Sequence, residues 1–183
     1  MPENLELATF AGGCFWCTEA IFQRLKGVEK VVSGYTGGEL KSPSYEKVSM
    51  GNTGHAEAIQ ISFNPKIIDY QKLLEVFMAT HDPTTLNQQG ADIGSQYRSA
   101  IFYHNDQQKT LAEKLIRKFT NEEKYPNLIV TKVEPAKEFY PAENYHQDYF
   151  NNNSYAPYCQ VVIDPKVKKL LLQHSDEVKD EYK

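Results

Sequence analysis

The sequence lacks the features that would place the chain in several large classes of protein. Cysteine occurs only 3 times in 183 residues, a small and odd number that argues against a framework of disulfide bonds. No segment approaches the roughly 20 apolar residues of a membrane span. The N-terminal MPENLELATF lacks a basic region followed by an apolar run, so we expect a cytoplasmic protein that does not bind membranes. The formal net charge of -4 argues weakly against nucleic acid as a partner, because phosphate binding needs a basic face.

The bulk composition is that of a soluble globular protein. Hydrophobic residues make up 40% of the chain and charged residues 24%. A chain of this length can bury its own core without metals or disulfide bonds. The composition does not change abruptly along the chain, so we expect one domain over residues 1–183.

Hydrophobic periodicity predicts the order strand, helix, strand, strand, helix, strand. The second helix is expected to begin after the capping residue Asp69, and later helices at Asp106 and at Asp164–Pro165. This order predicts the α+β class and a ferredoxin-like split βαβ sandwich, with helices on one face of the sheet and extra C-terminal helices. The strands correspond to LATFAGG, VEKVVSGY, HAEAIQISF and SAIFYH, followed by NLIVTKVEP.

The segment GGCFWC, residues 12–17, places two thiols and two aromatic rings at one turn. Cys14 lies where a strand passes into a helix, and the unpaired N–H groups of a helix start favour a thiolate. This makes Cys14 a candidate nucleophile, with a buried structural cysteine as the alternative. Cys17 gives the C-x-x-C spacing of redox proteins. Zinc would need two further Cys or His ligands, and Cys159 has no such neighbour, so we expect neither a metal nor another cofactor.

The strand HAEAIQISF places a carboxylate on its apolar face. Glu57 shares that face with Ile59, Ile61 and Phe63, because side chains alternate along a strand. A buried carboxyl group without a cation tends to keep its proton and can act as a general acid. The alternatives are a strand end that emerges into solvent and a basic residue that pairs with Glu57.

Several separated motifs carry a resemblance to a known family. They are GCFWC, then GYTGG (34–38), PSYEKV (43–48), TGHAEA (53–58), HDP (81–83), the QG…D.G.QYRSAI block (89–101) and FYPAENYHQDY (139–149). Together they resemble the peptide-methionine (S)-S-oxide reductases of the A type. The resemblance covers about residues 7–165 and leaves 166–183 as a C-terminal tail helix.

The resemblance implies a ferredoxin-like fold and a role for each matching residue. Cys14 matches the nucleophile and Glu57 the acid, while Phe15 and Trp16 match the aromatic pair that receives the S-methyl group of the substrate. The remaining matches in the catalytic site are Tyr45, Asp92 and Tyr97.

The implied activity is reduction of methionine S-sulfoxide, free or in proteins. Cys14 would become a sulfenic acid and then form an intramolecular disulfide, which thioredoxin or a similar dithiol would reduce. One alternative is a general thiol–disulfide oxidoreductase, which would not need Glu57 or the tyrosines. Another is a thiol-bearing interaction module, whose aromatic patch only binds partners.

The resolving thiol is either Cys17 or Cys159. Many family members carry the recycling cysteine in a glycine-rich C-terminal tail, but no glycine follows Gly94 in this chain. The segment CQVVIDP alternates like a strand, which would hold Cys159 in place. We therefore expect Cys17 to resolve Cys14, with Cys159 as the alternative.

Overall fold

A six-stranded mixed sheet organises the computed structural model, which describes residues 4–183. The strands are β1 (Glu6–Gly12), β2 (Val28–Thr36), β3 (Ala56–Phe63), β4 (Gln88–Gln89), β5 (Asp92–Ile93), β6 (Ser99–Tyr103), β7 (Lys132–Pro135) and β8 (Tyr140–Pro141). The α-helices are α1 (Phe15–Phe22), α2 (Tyr45–Ser49), α3 (Tyr70–Ala79), α4 (Asp106–Asn121), α5 (Tyr149–Asn152) and α6 (Asp164–Gln173). Within residues 4–183, no helix combines the length and apolar character needed to cross a bilayer.

The strand order in the sheet is β7-β6-β1-β3-β2-β8. All neighbours are antiparallel except β6 and β7, which run parallel. The predicted strand–helix order of the first 103 residues is present as β1, α1, β2, β3, α3 and β6. The α+β class is therefore confirmed.

The two faces of the sheet bury very different side chains. The large core contains Phe10 from β1 and Ile59 and Ile61 from β3, covered by α1, α3, α4 and α6. The opposite face carries small residues, such as Ala11 and Ala58, against Phe139. The helices thus pack on one face, and that face is the one predicted to receive Glu57.

Side-chain caps fix where the helices begin. Asp69 caps α3 as predicted, and its carboxylate accepts a hydrogen bond from Lys72 N at 2.7 Å. The cap of α4 is Asn105 rather than Asp106, since the Asn105 side chain accepts from Gln108 N at 2.9 Å. Helix α6 begins at Asp164, with Pro165 in its first turn, as predicted.

Two predictions for the C-terminal part are wrong. The segment Cys159–Ile163 is a π-helical turn that leads into α6, not a strand. Cys159 and Ile163 are buried while Val161 is 74% exposed, so the pattern follows one helical face and not strand alternation. The tail helix predicted over 166–183 ends at Gln173, and the 3-10 turns Ser175–Glu177 and Asp180–Tyr182 follow.

The remaining strand prediction was too long. NLIVTKVEP forms a strand only over Lys132–Pro135, where it pairs in parallel with β6. The residues before Lys132 contact a loop and do not pair with a strand, since Val130 N donates to the Pro83 carbonyl of that loop at 2.8 Å. Tertiary contacts therefore override the local β-propensity here.

Two long loops follow β2 and α3, and both carry short regular elements. The first contains α2, and the second contains β4, β5 and the 3-10 turn Ser95–Tyr97. The His55 ring orders the first loop, because its Nδ1 accepts from Gly38 N at 3.1 Å and its Nε2 donates to the Leu40 carbonyl at 2.7 Å. This fixes the approach of the chain to α2.

A buried histidine links stability to pH. His81 Nδ1 donates to the Phe77 carbonyl at 2.6 Å and Nε2 accepts from the Ser99 hydroxyl at 2.7 Å. Burial lowers the pKa of His81 to about 4. The unfolded chain, with an ordinary pKa of about 6.5, binds the proton first as pH falls. The contribution of His81 to stability is thus complete above the pKa of the unfolded chain. It is lost as pH falls from that value toward the lower pKa of the folded protein.

We expect His81 to make wild type lose about 2 kcal/mol of unfolding free energy between about pH 7.5 and pH 5. The His81→Gln variant cannot titrate at this position and should lose correspondingly less over the same interval. Urea unfolding at both pH values measures the difference. Equal losses in the two proteins would contradict the assignment.

Candidate active site

The predicted site residues converge on one small cavity of about 160 Å³. It lies where β1 passes into α1 and where the two long loops meet the end of β3. Its lining residues are Cys14, Phe15, Trp16, Tyr45, Glu57, Asp92, Tyr97 and Tyr158. The first seven were predicted from the sequence, and Tyr158 was not.

The geometry of the turn before α1 requires a glycine. Gly13 has φ +95°, a left-handed value that side chains disfavour. A Cβ at this position would also lie 2.7 Å from side-chain atoms of Gln89. This turn places Cys14 at the N-cap of α1, beside the Trp16 amide.

Burial, however, dominates the electrostatics of Cys14. Desolvation raises the pKa of the Cys14 thiol well above its ordinary value, and Cys17 and the charge of Glu57 raise it further. The Trp16 amide lowers it, but less. The expectation that the helix start alone would favour the thiolate in the resting state is therefore wrong.

Glu57 occupies the position predicted from the strand register. The side chain is 2% exposed and Oε2 accepts a hydrogen bond from Phe15 N at 3.1 Å. Burial raises the pKa of Glu57 to about 8; the Phe15 amide opposes this shift, and the charge of Asp92 adds to it. Glu57 is thus a carboxyl group that holds its proton near neutral pH and that can serve as a general acid.

Cys14 and Glu57 are electrostatically linked. The carboxylate form of Glu57 raises the pKa of Cys14, and both groups are buried. A Cys14 thiolate and a Glu57 carboxylate, both buried, would repel each other strongly. Near neutral pH the pair therefore carries at most one negative charge, and it titrates as a unit.

Two tyrosine hydroxyls complete the polar side of the cavity. Tyr45 begins α2, and its backbone N–H donates to Glu143 Oε2 at 3.1 Å. Tyr97 ends the turn Ser95–Tyr97. Burial raises the pKa of both phenols, so each keeps its proton and can donate a hydrogen bond.

Phe15 and Trp16 form the aromatic wall, and later segments of the chain hold Trp16 in place. The Trp16 ring stacks on Tyr149 with centroids 3.7 Å apart, and its indole N–H donates to His146 Nδ1 at 3.1 Å. The carboxylate of Glu19, on α1, accepts from Asp148 N at 3.0 Å. The first turn of α1 and residues 146–149 thus form one rigid unit.

The other two thiols occupy different environments. The S–H of Cys14 stabilises the thiolate of Cys17 and is the main reason why the pKa of Cys17 is lowered to about 7. Its Sγ also lies 3.8 Å from the Tyr158 hydroxyl, which donates to Asp92 Oδ2 at 2.6 Å. Cys159 is fully buried in the π-helical turn, and burial raises the pKa of this thiol. Neither Cys17 nor Cys159 is among the cavity-lining residues of 4–183.

The part of the site that sequence reasoning missed comes from the region after residue 140. Tyr158 is one of 12 tyrosines, and its only distinction in the sequence is its position before Cys159. Glu143 lies in the motif at 139–149 but was not singled out, although it accepts hydrogen bonds from the Tyr35 and Tyr145 hydroxyls as well as from the Tyr45 amide. Such partners depend on tertiary contacts that no local pattern encodes.

Comparison with known proteins decides the family. The family model for peptide methionine sulfoxide reductase matches residues 6–179. The chain belongs to this family. Peptide methionine sulfoxide reductase MsrA 1 of Rhodopirellula baltica is 55% identical over 174 residues, which cover 95% of this chain and 90% of that protein.

Solved structures of family members have a similar α+β fold. The crystal structure of Mxr1 from Saccharomyces cerevisiae in reduced form matches with a TM-score of 0.79 and 39% identity, over 87% of this chain and 91% of that one. Mxr1 has also been crystallised in complex with Trx2. That chain matches with a TM-score of 0.56 and 31% identity, over 81% of this chain and 87% of that one.

Proposed function

We propose that this chain reduces the S epimer of methionine sulfoxide, free or in proteins, to methionine. The observation that carries the proposal is the shared cavity of Cys14 and protonated Glu57, in a chain of the peptide methionine sulfoxide reductase family. A nucleophilic sulfur and an acid on one small aromatic-walled cavity are what sulfoxide reduction requires, because the sulfoxide sulfur is a poor electrophile until its oxygen is protonated.

The first step transfers oxygen from the substrate to Cys14. The reactive form of the coupled pair is the Cys14 thiolate with the Glu57 acid, which together carry one negative charge. The thiolate attacks the sulfoxide sulfur while Glu57 protonates the oxygen. The intermediate has an S–S bond to Cys14 and a hydroxyl group on the substrate sulfur. The hydroxyl moves to Cys14 as both of these bonds to the substrate sulfur break, so methionine leaves, Cys14 becomes a sulfenic acid and Glu57 becomes a carboxylate.

The other lining residues position the substrate for this step. The hydroxyls of Tyr45 and Tyr97 donate to the sulfoxide oxygen, where negative charge develops. The rings of Phe15 and Trp16 surround the S-methyl group and exclude water. Asp92 raises the pKa of Glu57 through its charge and so helps Glu57 to keep its proton.

The second step forms a disulfide, and we assign it to Cys17. The support is geometric: Cys17 lies one helical turn from Cys14, with Cys17 N donating to the Cys14 carbonyl at 3.1 Å, whereas Cys159 is buried in the turn before α6. The segment before Cys159 is also attached to the region after α1, since Arg24 Nη2 donates to Asn151 Oδ1 at 2.7 Å. Cys159 remains the alternative resolving thiol.

Thioredoxin or a similar dithiol then reduces the disulfide. The complex of the related Mxr1 with Trx2 supports this reductant. A general thiol–disulfide oxidoreductase is not favoured, because simple thiol exchange would leave the buried acid and the tyrosine hydroxyls without a role. A reducing compartment such as the cytoplasm fits the cycle, since it maintains the dithiol supply.

We also propose the ferredoxin-like label for the core, which the antiparallel order β6-β1-β3-β2 supports. Residues 1–183 would act as one domain. The tail packs back on the core, since Val178 is fully buried and bridges to Leu25 just after α1.

The substrate assignment predicts a stereochemical preference. Purified protein, with thioredoxin and its reductase, should consume methionine S-sulfoxide and leave the R epimer. Chiral chromatography of the remaining sulfoxide measures this. Equal consumption of the two epimers would refute the assignment, and reduction of insulin disulfides without sulfoxide reduction would favour the exchange enzyme.

Glu57→Gln should slow the first methionine-forming turnover by about 10² to 10⁴-fold, because an amide cannot deliver a proton. Rapid-quench measurement of methionine, without reductant, isolates this step. Glu19→Gln is the matched control, since Glu19 is also buried with a pKa raised to about 7, mainly by burial, but lies outside the cavity. A Glu57→Gln rate within a few-fold of wild type would show that Glu57 is not the acid.

The resolving thiol can be identified by single substitutions. Cys17→Ser should produce one methionine per chain and then stop, while Cys159→Ser should recycle with thioredoxin. Mass spectrometry after one turnover should find the Cys14–Cys17 disulfide in wild type. Normal recycling by Cys17→Ser together with arrest of Cys159→Ser would assign resolution to Cys159.

A further inference from the structure

One hydroxyl group on the cavity wall has no role in the first step. The Tyr158 hydroxyl lies between two groups of the site, 2.6 Å from Asp92 Oδ2 and 3.8 Å from Cys17 Sγ. Its ring packs edge-on against Trp16, with centroids 5.8 Å apart and planes at 79°. The hydroxyl is therefore held where a resolving thiol and a cavity carboxylate meet.

The direction of these hydrogen bonds follows from proton counting. A tyrosine hydroxyl has one proton, and the short contact with Asp92 uses it, because a carboxylate only accepts. In the contact with Cys17, the Tyr158 oxygen must then accept and the Cys17 S–H must donate. The groups form an ordered chain from the Cys17 thiol through Tyr158 to Asp92.

The chemistry of the second step needs such a chain. Cys17 must lose its proton to attack, and the hydroxide leaving from Cys14 must gain one. In the resting site the Cys14 S–H lowers the pKa of Cys17, but this S–H is absent once Cys14 is a sulfenic acid. Burial opposes the Cys17 thiolate, so a nearby acceptor for its proton favours the attack.

We propose that Tyr158 is a catalytic residue of the disulfide-forming step, which relays the proton of Cys17 to Asp92. The inference rests on the proposed function and on Cys17 as the resolving thiol. Burial raises the pKa of Tyr158, so the phenol releases its own proton to Asp92 only as it takes the proton of Cys17.

The proposed step is balanced. The S–S bond forms between Cys17 and Cys14 as the S–O bond of the sulfenic acid breaks. The proton from Cys17 passes to Tyr158, that of Tyr158 to Asp92, and that of Asp92 to the leaving hydroxide, which departs as water. Asp92 and Tyr158 end unchanged, the Cys17 sulfur is oxidised, and the Cys14 sulfur is reduced from the sulfenic to the disulfide state.

Several charged or titratable groups face Cys17, and they determine how the step depends on pH. The charge of Lys166 and a hydrogen bond with Tyr158 stabilise the Cys17 thiolate, while the negative charge of Asp92 opposes it. Without the relay, Cys17 must lose its proton directly to water. This becomes easier as pH rises through the ordinary pKa range of a thiol. Among residues 4–183, the groups with the largest effect on Cys17 are Cys14, Lys166, Tyr158 and Asp92, and Cys17 also acts on Glu57 and Cys159.

The test is Tyr158→Phe, which keeps the ring on Trp16 and removes only the hydroxyl. Reduced enzyme is mixed with methionine S-sulfoxide without reductant. Methionine is measured by rapid quench, and sulfenic acid is trapped with dimedone for mass spectrometry. Tyr149→Phe is the matched control, because its ring also stacks on Trp16 while its hydroxyl has no hydrogen bond within residues 4–183.

We expect methionine formation by Tyr158→Phe within a few-fold of wild type. Disulfide formation should fall by about 10²-fold near pH 7, with trapped sulfenic acid, and should recover toward wild type above about pH 9. Tyr149→Phe should form the disulfide like wild type. If wild type itself yields no methionine, the proposed function fails; the relay is tested only by the step that follows.

Three results would overturn the relay. Disulfide formation by Tyr158→Phe at the wild-type rate would show that the hydroxyl is not used. A defect that does not change with pH would indicate a structural role. Faster resolution through Cys159 would show that Tyr158 restrains the C-terminal segment instead.

Discussion

The site depends on one carboxyl group that the fold keeps away from water. Glu57 lies on the face of β3 that also carries Ile59 and Ile61, so the apolar register of the strand buries it as well. Its one backbone donor, Phe15 N, connects it to the start of α1. The register of a central strand and the start of a helix therefore set the proton affinity of the acid, and the register can shift only by turning the whole apolar face outward.

The buried acid also controls the nucleophile. Burial raises the pKa of the Cys14 thiol well above its ordinary value, and Cys17 and the charge of an ionised Glu57 raise it further, so the thiol keeps its proton in the resting state. The combination suits an enzyme that must not react with every electrophile in its surroundings. Glu57 gives its proton to the sulfoxide only as the Cys14 thiolate attacks. The Cys14–Glu57 pair therefore carries one negative charge throughout the step.

The sequence allowed most of this site to be predicted because its residues follow local rules. Period-two alternation predicted the burial of Glu57, and the glycines before Cys14 predicted a constrained turn, which Gly13 provides with φ +95°. The π-helical turn at Cys159 was misread because Cys159 and Ile163, the outer two of three alternating apolar residues, also lie on one helical face. Tyr158 was missed because its partners, Cys17 and Asp92, are distant in sequence.

The late part of the chain distinguishes this protein from a simple C-x-x-C enzyme. Two thiols at a helix start can exchange disulfides without further help, but sulfoxide chemistry also needs a dry wall and a controlled proton. Residues after 140 supply both: Tyr149 and His146 fix Trp16, and Tyr158 joins Asp92 to Cys17. In the proposed mechanism the motif at residues 12–17 carries the sulfur chemistry, and the C-terminal segment that packs on α1 makes that chemistry selective for sulfoxides. The two parts are joined by a hydrogen bond from Asp148 N to the Glu19 side chain on α1.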